Sequence, residues 1–241
     1  MRQDVYWMRQ AVHCGPVSSR SRFGYAAHTD HREERQMSTP HVRHPLLSVS
    51  PDKLRPTQIT VGKAEVTEKR NIWRSLGKKK RKELIDAHWF PGVIGPKGKI
   101  YIVDHHHLGL ALLEEGAKSV PVMVQRDFSW LEQDIFWRTM EFNRWAHPYD
   151  QHGNRTSYDA IPATLDKLAD DAYRTLAARV RMAGGYSKDA TPYSEFLWAE
   201  FYRRQLPLPG GKVSAKTLQQ ALLLAHGHEA AYLPGWSGTI E

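Results

Sequence analysis

The stretch Lys99-Ile-Tyr-Ile-Val-Asp-His-His-His-Leu-Gly-Leu-Ala-Leu-Leu-Glu-Glu-Gly116 decides how this chain is read. Ile100, Tyr101, Ile102 and Val103 are β-branched or aromatic without polar alternation, the pattern of a strand buried on both faces and ending at Val103. Leu108 and Leu110 to Leu113 make a compact apolar helical segment. Glu114 and Glu115 end it, and Gly116 is the residue type that most easily takes the left-handed conformation after a helix. Asp104, His105, His106 and His107 therefore fall at a strand-to-helix corner. Helix-initial N–H groups lack internal partners and carry partial positive charge, so such a corner in an α/β unit can hold an anion. Asp104 alone is what an ordinary helix N-cap looks like. Three adjacent imidazoles are harder to place by chance, since each can donate, accept, shuttle a proton or ligate a metal.

Working outward, Val93-Ile94 reads as a short strand and Gly95-Pro-Lys-Gly98 as a turn, so a hairpin feeds the corner. Ser119 to Gln125 is the next strand, with Pro121 placing it near an edge or letting it start late. Strand, helix and strand in this order predict that it runs parallel to the 99–103 strand through a right-handed crossover. Lys63 to Lys82 reads as a helix broken near Gly77, with Lys78-Lys-Lys-Arg-Lys82 beyond the break. After Phe128 the pattern turns helical: Phe128, Leu131, Ile135 and Phe136 approximate one face, and Trp130, Trp137 and Trp145 read as packing bulk. Leu165, Leu168, Ala169, Ala172, Leu176, Val180 and Ala183 fit a second helix, closed by Gly184-Gly185. Tyr193 to Arg204 is a third, and Ser214 caps a last one through Ala225. His147, Asp150 and His152 lie in a polar loop whose spacing matches no metal template, and a surface loop is the expectation there. The fold class is α+β, a small mixed sheet followed by helices.

Val103-Asp-His-His-His-Leu-Gly-Leu-Ala-Leu112 resembles the Val-Asp-Gly-His-His-Arg-x-x-Ala-x signature of the ParB-like and sulfiredoxin-like superfamily, specifically its ParB-like nuclease branch. Leu54 to Gly62 is similar to the opening strand and turn of that domain, and Phe90 to Gly98 to its second strand and turn. Leu168 to Ala177 and Glu195 to Trp198 are similar to the helical continuation of the branch. Residues 1–50 mix Arg, His, Ser, Gly and Pro without helical or alternating period and are expected to be a disordered basic tail; the resemblance implies a ParB/sulfiredoxin-like domain over 51–127 and a helical C-terminal extension over 128–241 packed on it. It implies binding of a nucleotide or nucleic-acid phosphate at the corner, for phosphoryl transfer or phosphodiester hydrolysis. The alternative is a non-catalytic, nucleotide-dependent DNA-binding module of the chromosome-partition kind. In the catalytic reading Asp104 orients an imidazole or takes a divalent ion, magnesium or manganese arriving with the nucleotide, while His106 and His107 polarise or protonate a phosphate oxygen or leaving group. Thr57, Gln58, Lys63, Lys69 and His105 then line the ligand.

Departures from the signature bear on these roles. His105 replaces the glycine and Leu108 the arginine, so a guanidinium that clamps phosphate in relatives is missing. Lys63 and Lys69 are the candidates for its charge, and Arg174, Lys188 and Glu195 for a second polar wall. Free-serine kinases of the superfamily use a glutamate as base where this chain reads Pro56-Thr57-Gln58, which leaves Glu65 or Glu68 for that task. The single cysteine, Cys14, falls outside the domain, which argues against sulfiredoxin chemistry and against disulfides within the chain. Asp104-His105-His106 also spells the tripeptide of a metal-dependent phosphoesterase class, but the further aspartate and histidine motifs of that class are not found.

The net charge of +8 is local. Residues 51–82 hold 11 Lys or Arg against 3 acids, whereas residues 83–241 hold 16 against 19, which is unfavourable for a duplex-binding C-terminal face. An apolar fraction of 41% is ample for a packed interior. No apolar run is long enough to span a bilayer and no secretory signal is visible, so a cytoplasmic protein without membrane contact is expected. Met37 is an alternative start.

Overall fold

The computed structural model describes residues 45–239. Pairing begins at Leu46–Val49 (β1), whose alternate residues Leu47 and Val49 pack against the core. The expected tail over 1–50 is corrected at this end: four alternating residues, too few to stand out beside a polar segment, join the sheet. The rest of that tail, with Cys14 and Met37, lies outside the described residues. Leu54–Arg55 (β2) and Thr60–Val61 (β3) follow, then the helices Lys63–Ser75 (α1) and Lys78–Asp86 (α2), separated at Gly77 as the sequence predicts. The hairpin is Phe90–Gly95 (β4) and Lys99–Ile102 (β5), and the corner leads into His106–Glu114 (α3). Gly116, at φ 65°, closes that helix. The chain continues through Val120–Asp127 (β6), Gln133–Phe142 (α4), Ala169–Asp170 (β7), Ala172–Met182 (α5), Ser194–Gln205 (α6) and Ala215–Ala225 (α7). Ser214 caps α7, its hydroxyl accepting from the Thr217 N–H at 3.0 Å.

This is an α+β fold with a mixed five-stranded sheet in the order β1-β6-β4-β5-β2 and a separate parallel pair, β3 with β7. The expected parallel pairing of 99–103 with 119–125 does not form. β5 has β4 on one edge, antiparallel, and β2 on the other, parallel, so no edge is left for β6. β6 instead lies parallel to β4 and carries β1 on its outer side. One face of the sheet is covered by α1 and α3, burying Leu54, Phe90, Ile102, Leu110, Leu112 and Val122. On the other face Val93 and Tyr101 meet Phe136, Trp137 and Met140 of α4.

The helix expected from Leu165 starts later. Leu165–Lys167 is a 3₁₀ turn, Ala169–Asp170 leaves to pair with β3, and α5 begins only after Asp171, whose carboxylate accepts from the Tyr173 N–H at 2.9 Å. Two consecutive aspartates outweigh the apolar spacing because each caps a helix: the Asp170 carboxylate accepts from the Lys63 N–H at 2.8 Å and so starts α1. The helices α5, α6 and α7 bury Leu176, Trp198 and Tyr202 among themselves. Trp137 is packed as expected, whereas Trp130 is 77% exposed.

Gly95 marks how tightly α4 sits on the sheet. A Cβ there would lie 2.6 Å from the Tyr101 ring and 2.8 Å from that of Phe136. Gly95→Ala should destabilise the protein by about 1–3 kcal/mol, read as a lower urea midpoint at unchanged slope, because two packed aromatics must shift. A wild-type midpoint would mean that α4 packs more loosely than described.

Candidate functional site: the histidine corner and a buried arginine

His105 occupies the turn between β5 and α3 in the left-handed conformation, φ 64° and ψ 23°. That is the position filled by glycine in the resembling signature, and glycine adopts it without the Cβ penalty. Histidine is among the residues more tolerated there. Its ring packs edge-on to Phe90, with centroids 5.7 Å apart. Asp104 is not the N-cap expected from the sequence. His105 is, without a side-chain cap, and the Asp104 carboxylate accepts the His105 N–H at 2.6 Å. Burial opposes ionisation of Asp104, but the neighbouring His105 and this hydrogen bond hold its carboxyl below the usual range.

The next two imidazoles turn inward. His106 is 4% exposed and its Nε2 accepts from the Thr57 N–H at 3.1 Å, while the Thr57 hydroxyl donates to the Ile102 carbonyl at 2.9 Å. His107 Nε2 accepts from the Gly62 N–H at 3.0 Å. Accepting at Nε2 places the ring proton on Nδ1 in each case. Burial lowers both pKa values, that of His106 to about 3. For the role expected of these two rings, polarising or protonating a phosphate oxygen or leaving group, their surroundings are unfavourable. The nitrogen that would act is committed to a backbone donor, and burial suppresses the imidazolium. Their work is to fasten the segments around Thr57 and Gly62 to the first turn of α3.

What these fastenings surround is Arg174. Thr57, held by His106, accepts the His147 N–H at 2.8 Å through its own carbonyl. The His147 ring lies 3.8 Å from that of Phe196, and the Arg174 guanidinium sits 3.5 Å above the Phe196 ring. On the other side Gly62, held by His107, packs so closely on Thr175 that a Cβ would come within 2.6 Å of the Thr175 hydroxyl. Arg174 is 5% exposed, and neither its Nε nor its Nη1 has a hydrogen-bond partner among the described residues. Glu195 is 3.8 Å from Nη2, too far for a hydrogen bond, and is closer to Arg181 at 3.0 Å. The positive charge of Arg174 adds to burial in lowering the pKa values of His106, His107 and His147.

Two of the basic side chains expected here have different fates. Lys69 faces the corner: it pairs with Glu65 at 3.1 Å and its charge acts on His105 and His107. Lys63 is exposed, and its contact across the fold is made by its backbone N–H. Of the residues expected to form a second polar wall, Glu195 lies 3.8 Å from Arg174, whereas Lys188 is exposed and its charge acts on His105. Thr57 and Gln58 are buried, the Gln58 amide donating to the Thr60 carbonyl. Glu65 lies 3.4 Å from His107 Nε2. Burial opposes its ionisation, yet the charges of Lys69 and Arg174 help to hold its carboxyl below the usual range. Glu68 instead faces Arg179 at the surface. Among the described residues no three His, Cys, Asp or Glu side chains are grouped to hold a metal ion. Arg174 itself was legible only by phase: it shares a helix face with Ala177 and Ala178, both buried.

Comparison with known proteins agrees with the signature. A family model describing a ParB-like nuclease matches residues 47–204. The crystal structure of protein Atu1540 from Agrobacterium tumefaciens is similar at 42% identity and a TM-score of 0.74, covering 81% of this chain and 99% of that one. No curated protein matches the chain.

The buried imidazoles make stability depend on pH. His106 stays neutral in the fold down to about pH 3, whereas an unfolded histidine takes up its proton near 6.5. Stability should be full above pH 6.5 and fall towards pH 3, with this residue contributing about 1.4 kcal/mol per pH unit in that window. Urea unfolding at pH 7 and pH 5 should show a shallower pH dependence for His106→Gln than for wild type. Equal dependence would show that His106 does not titrate as described.

Proposed function

The chain belongs to the ParB-like nuclease family, and from that premise we propose that it binds a nucleotide or nucleic-acid phosphate at the first turn of α3, with Arg174 as the principal cation. The observation that carries this reading is the buried guanidinium with two unpartnered donors beside a helix start that has no side-chain cap. A buried donor without an acceptor costs about 1–3 kcal/mol, more when charged, so the arrangement favours an incoming oxyanion. Phosphate suits it on two counts. Guanidinium forks match phosphate oxygens, and the helix-initial N–H groups of α3 are donors of the kind that hold an anion. Lys69 and Lys188 add positive charge near the corner, and Arg174 takes the place of the arginine that Leu108 lacks.

Asp104 is held ionised by the neighbouring His105 and its backbone N–H, so it is the side chain that would hold a magnesium or manganese ion arriving with the phosphate. Such an ion would supply charge stabilisation on the phosphate oxygens. The protein's own part is to orient the phosphate on Arg174, with His106 and His107 acting as positioning residues. Phosphodiester hydrolysis or phosphoryl transfer then depends on Asp104. The alternative, a binding module without turnover, is favoured by one feature: Glu65, the nearest base, is too acidic to take a proton readily.

Thermal-shift titration with nucleotides, with and without magnesium or manganese, tests the reading. Nucleotide should raise the melting temperature of the wild type, and Arg174→Met should weaken binding at least tenfold while leaving the unliganded protein equally or more stable. Unchanged affinity in Arg174→Met would refute the site. Plasmid nicking that is lost in Asp104→Asn with binding retained would establish catalysis, and the absence of nicking in wild type would leave the binding module.

A further inference from the structure

The helix α4 is apolar on two opposite sides. Phe136, Trp137 and Met140 are buried against the sheet. Ile135, which the sequence pattern assigns to that same face, and Phe142 lie on the other: they are 45% and 88% exposed, and no large apolar side chain among the described residues is more exposed than Phe142. Seven residues is close to two helical turns, so the two side chains stand in line along the outer face. Trp130, also exposed, comes just ahead of the helix. On the buried side the Tyr101 ring lies 4.7 Å from that of Phe136 and 5.3 Å from that of Trp137, so the helix cannot roll to cover its outer strip without losing this packing. The charged residues are sorted by end. Glu132 is the N-cap and Asp134 lies in the first turn, whereas Arg144 follows the C-cap Asn143. Asp134 and Arg144 are exposed and make no ion pair among the described residues.

We infer that this face is the self-complementary surface of a two-fold homodimer, in which α4 packs antiparallel on α4 of a second copy of the chain. An isologous contact presents the same strip from both sides, so setting Ile135 against Phe142 of the second copy also sets Phe142 against the second copy's Ile135. In that register Asp134 falls within about one residue's rise, ~1.5 Å along the axis, of the second copy's Arg144. The two-fold repeats the pairing at the far end. Acid therefore meets base twice around an apolar centre, and each helix lays its negative C-terminal end beside the other's positive N-terminal end. A parallel arrangement would put Asp134 on Asp134 and Arg144 on Arg144. A partner of any other sequence would have to match both ends separately, which a second copy does by symmetry alone. The inference is independent of the phosphate reading.

Sedimentation equilibrium of the full chain across the micromolar range tests this. The wild type should associate to a dimer and no further. Phe142→Glu and Ile135→Asp should each weaken association at least tenfold while keeping the wild-type circular dichroism spectrum, since neither side chain is packed within the protomer. Asp134→Arg should weaken association severalfold, and adding Arg144→Asp to it should restore the dimer, because the exchanged charges meet again across the two-fold. Damage confined to the protomer would not be repaired in this way, so the rescue separates an interface from a folding defect. A wild type that stays monomeric throughout overturns the inference. So does a dimer that Phe142→Glu leaves intact, which would use another face. A dimer that Phe142→Glu breaks, but in which Arg144→Asp fails to rescue Asp134→Arg, overturns the antiparallel register.

Discussion

An arginine that is nearly inaccessible and lacks acceptors for two of its nitrogens is an expensive thing for a fold to keep. Folded domains are stable by about 5–15 kcal/mol, and a buried guanidinium that has only Glu195 at 3.8 Å and the Phe196 face as compensation takes a share of that. Much of the architecture around Arg174 makes sense as the means of holding it in place. Phe196 carries its face, Thr175 locks its helix against Gly62, and the two imidazoles of the corner tie the surrounding backbone to α3. Remove the arginine's reason for being there and the neutral, backbone-bound histidines have little to position.

In this structure the two histidines hold geometry: each ties a backbone N–H to the first turn of α3. A ring that accepts a backbone N–H at Nε2 and is too buried to charge is a rigid strut. Thr57 and Gly62 lie on either side of β3, so the two struts fix both ends of that strand. β3 in turn pairs with β7, which leads through Asp171 into the helix that bears Arg174. A path of hydrogen bonds thus links the corner to the start of the helix that bears the guanidinium. Where the resembling signature has an arginine on the corner helix, this chain has the buried Leu108 and brings the cation from α5.

Much of this was legible in the sequence, and the parts that were not share a cause. The strand, corner and helix at 99–116, the break at Gly77 and the cap at Ser214 are set by neighbours in the chain, and periodicity with cap chemistry reads such features well. The partner of β6 depends on β2 having taken the free edge of β5, a fact about residues far upstream. The late start of α5 depends on Asp170 being needed by α1. The inward turn of His106 and His107 depends on two backbone donors at residues 57 and 62. Their residue type announced chemistry, but only the distant partners decided which chemistry. Arg174 was recognised as a wall candidate and not as the centre, because a helical arginine looks the same in sequence whether its face is wet or dry.

The most direct measurement is anomalous diffraction from crystals of the full chain soaked in tungstate, a heavy phosphate mimic, at concentrations down to the low millimolar range. The account predicts a tungstate within hydrogen-bond distance of Arg174 Nε and Nη1 and facing the first N–H groups of α3, absent in Arg174→Met. An empty Arg174 site beside tungstate bound along Lys78 to Lys82 would contradict it, since the anion would then be following surface charge and not the buried guanidinium.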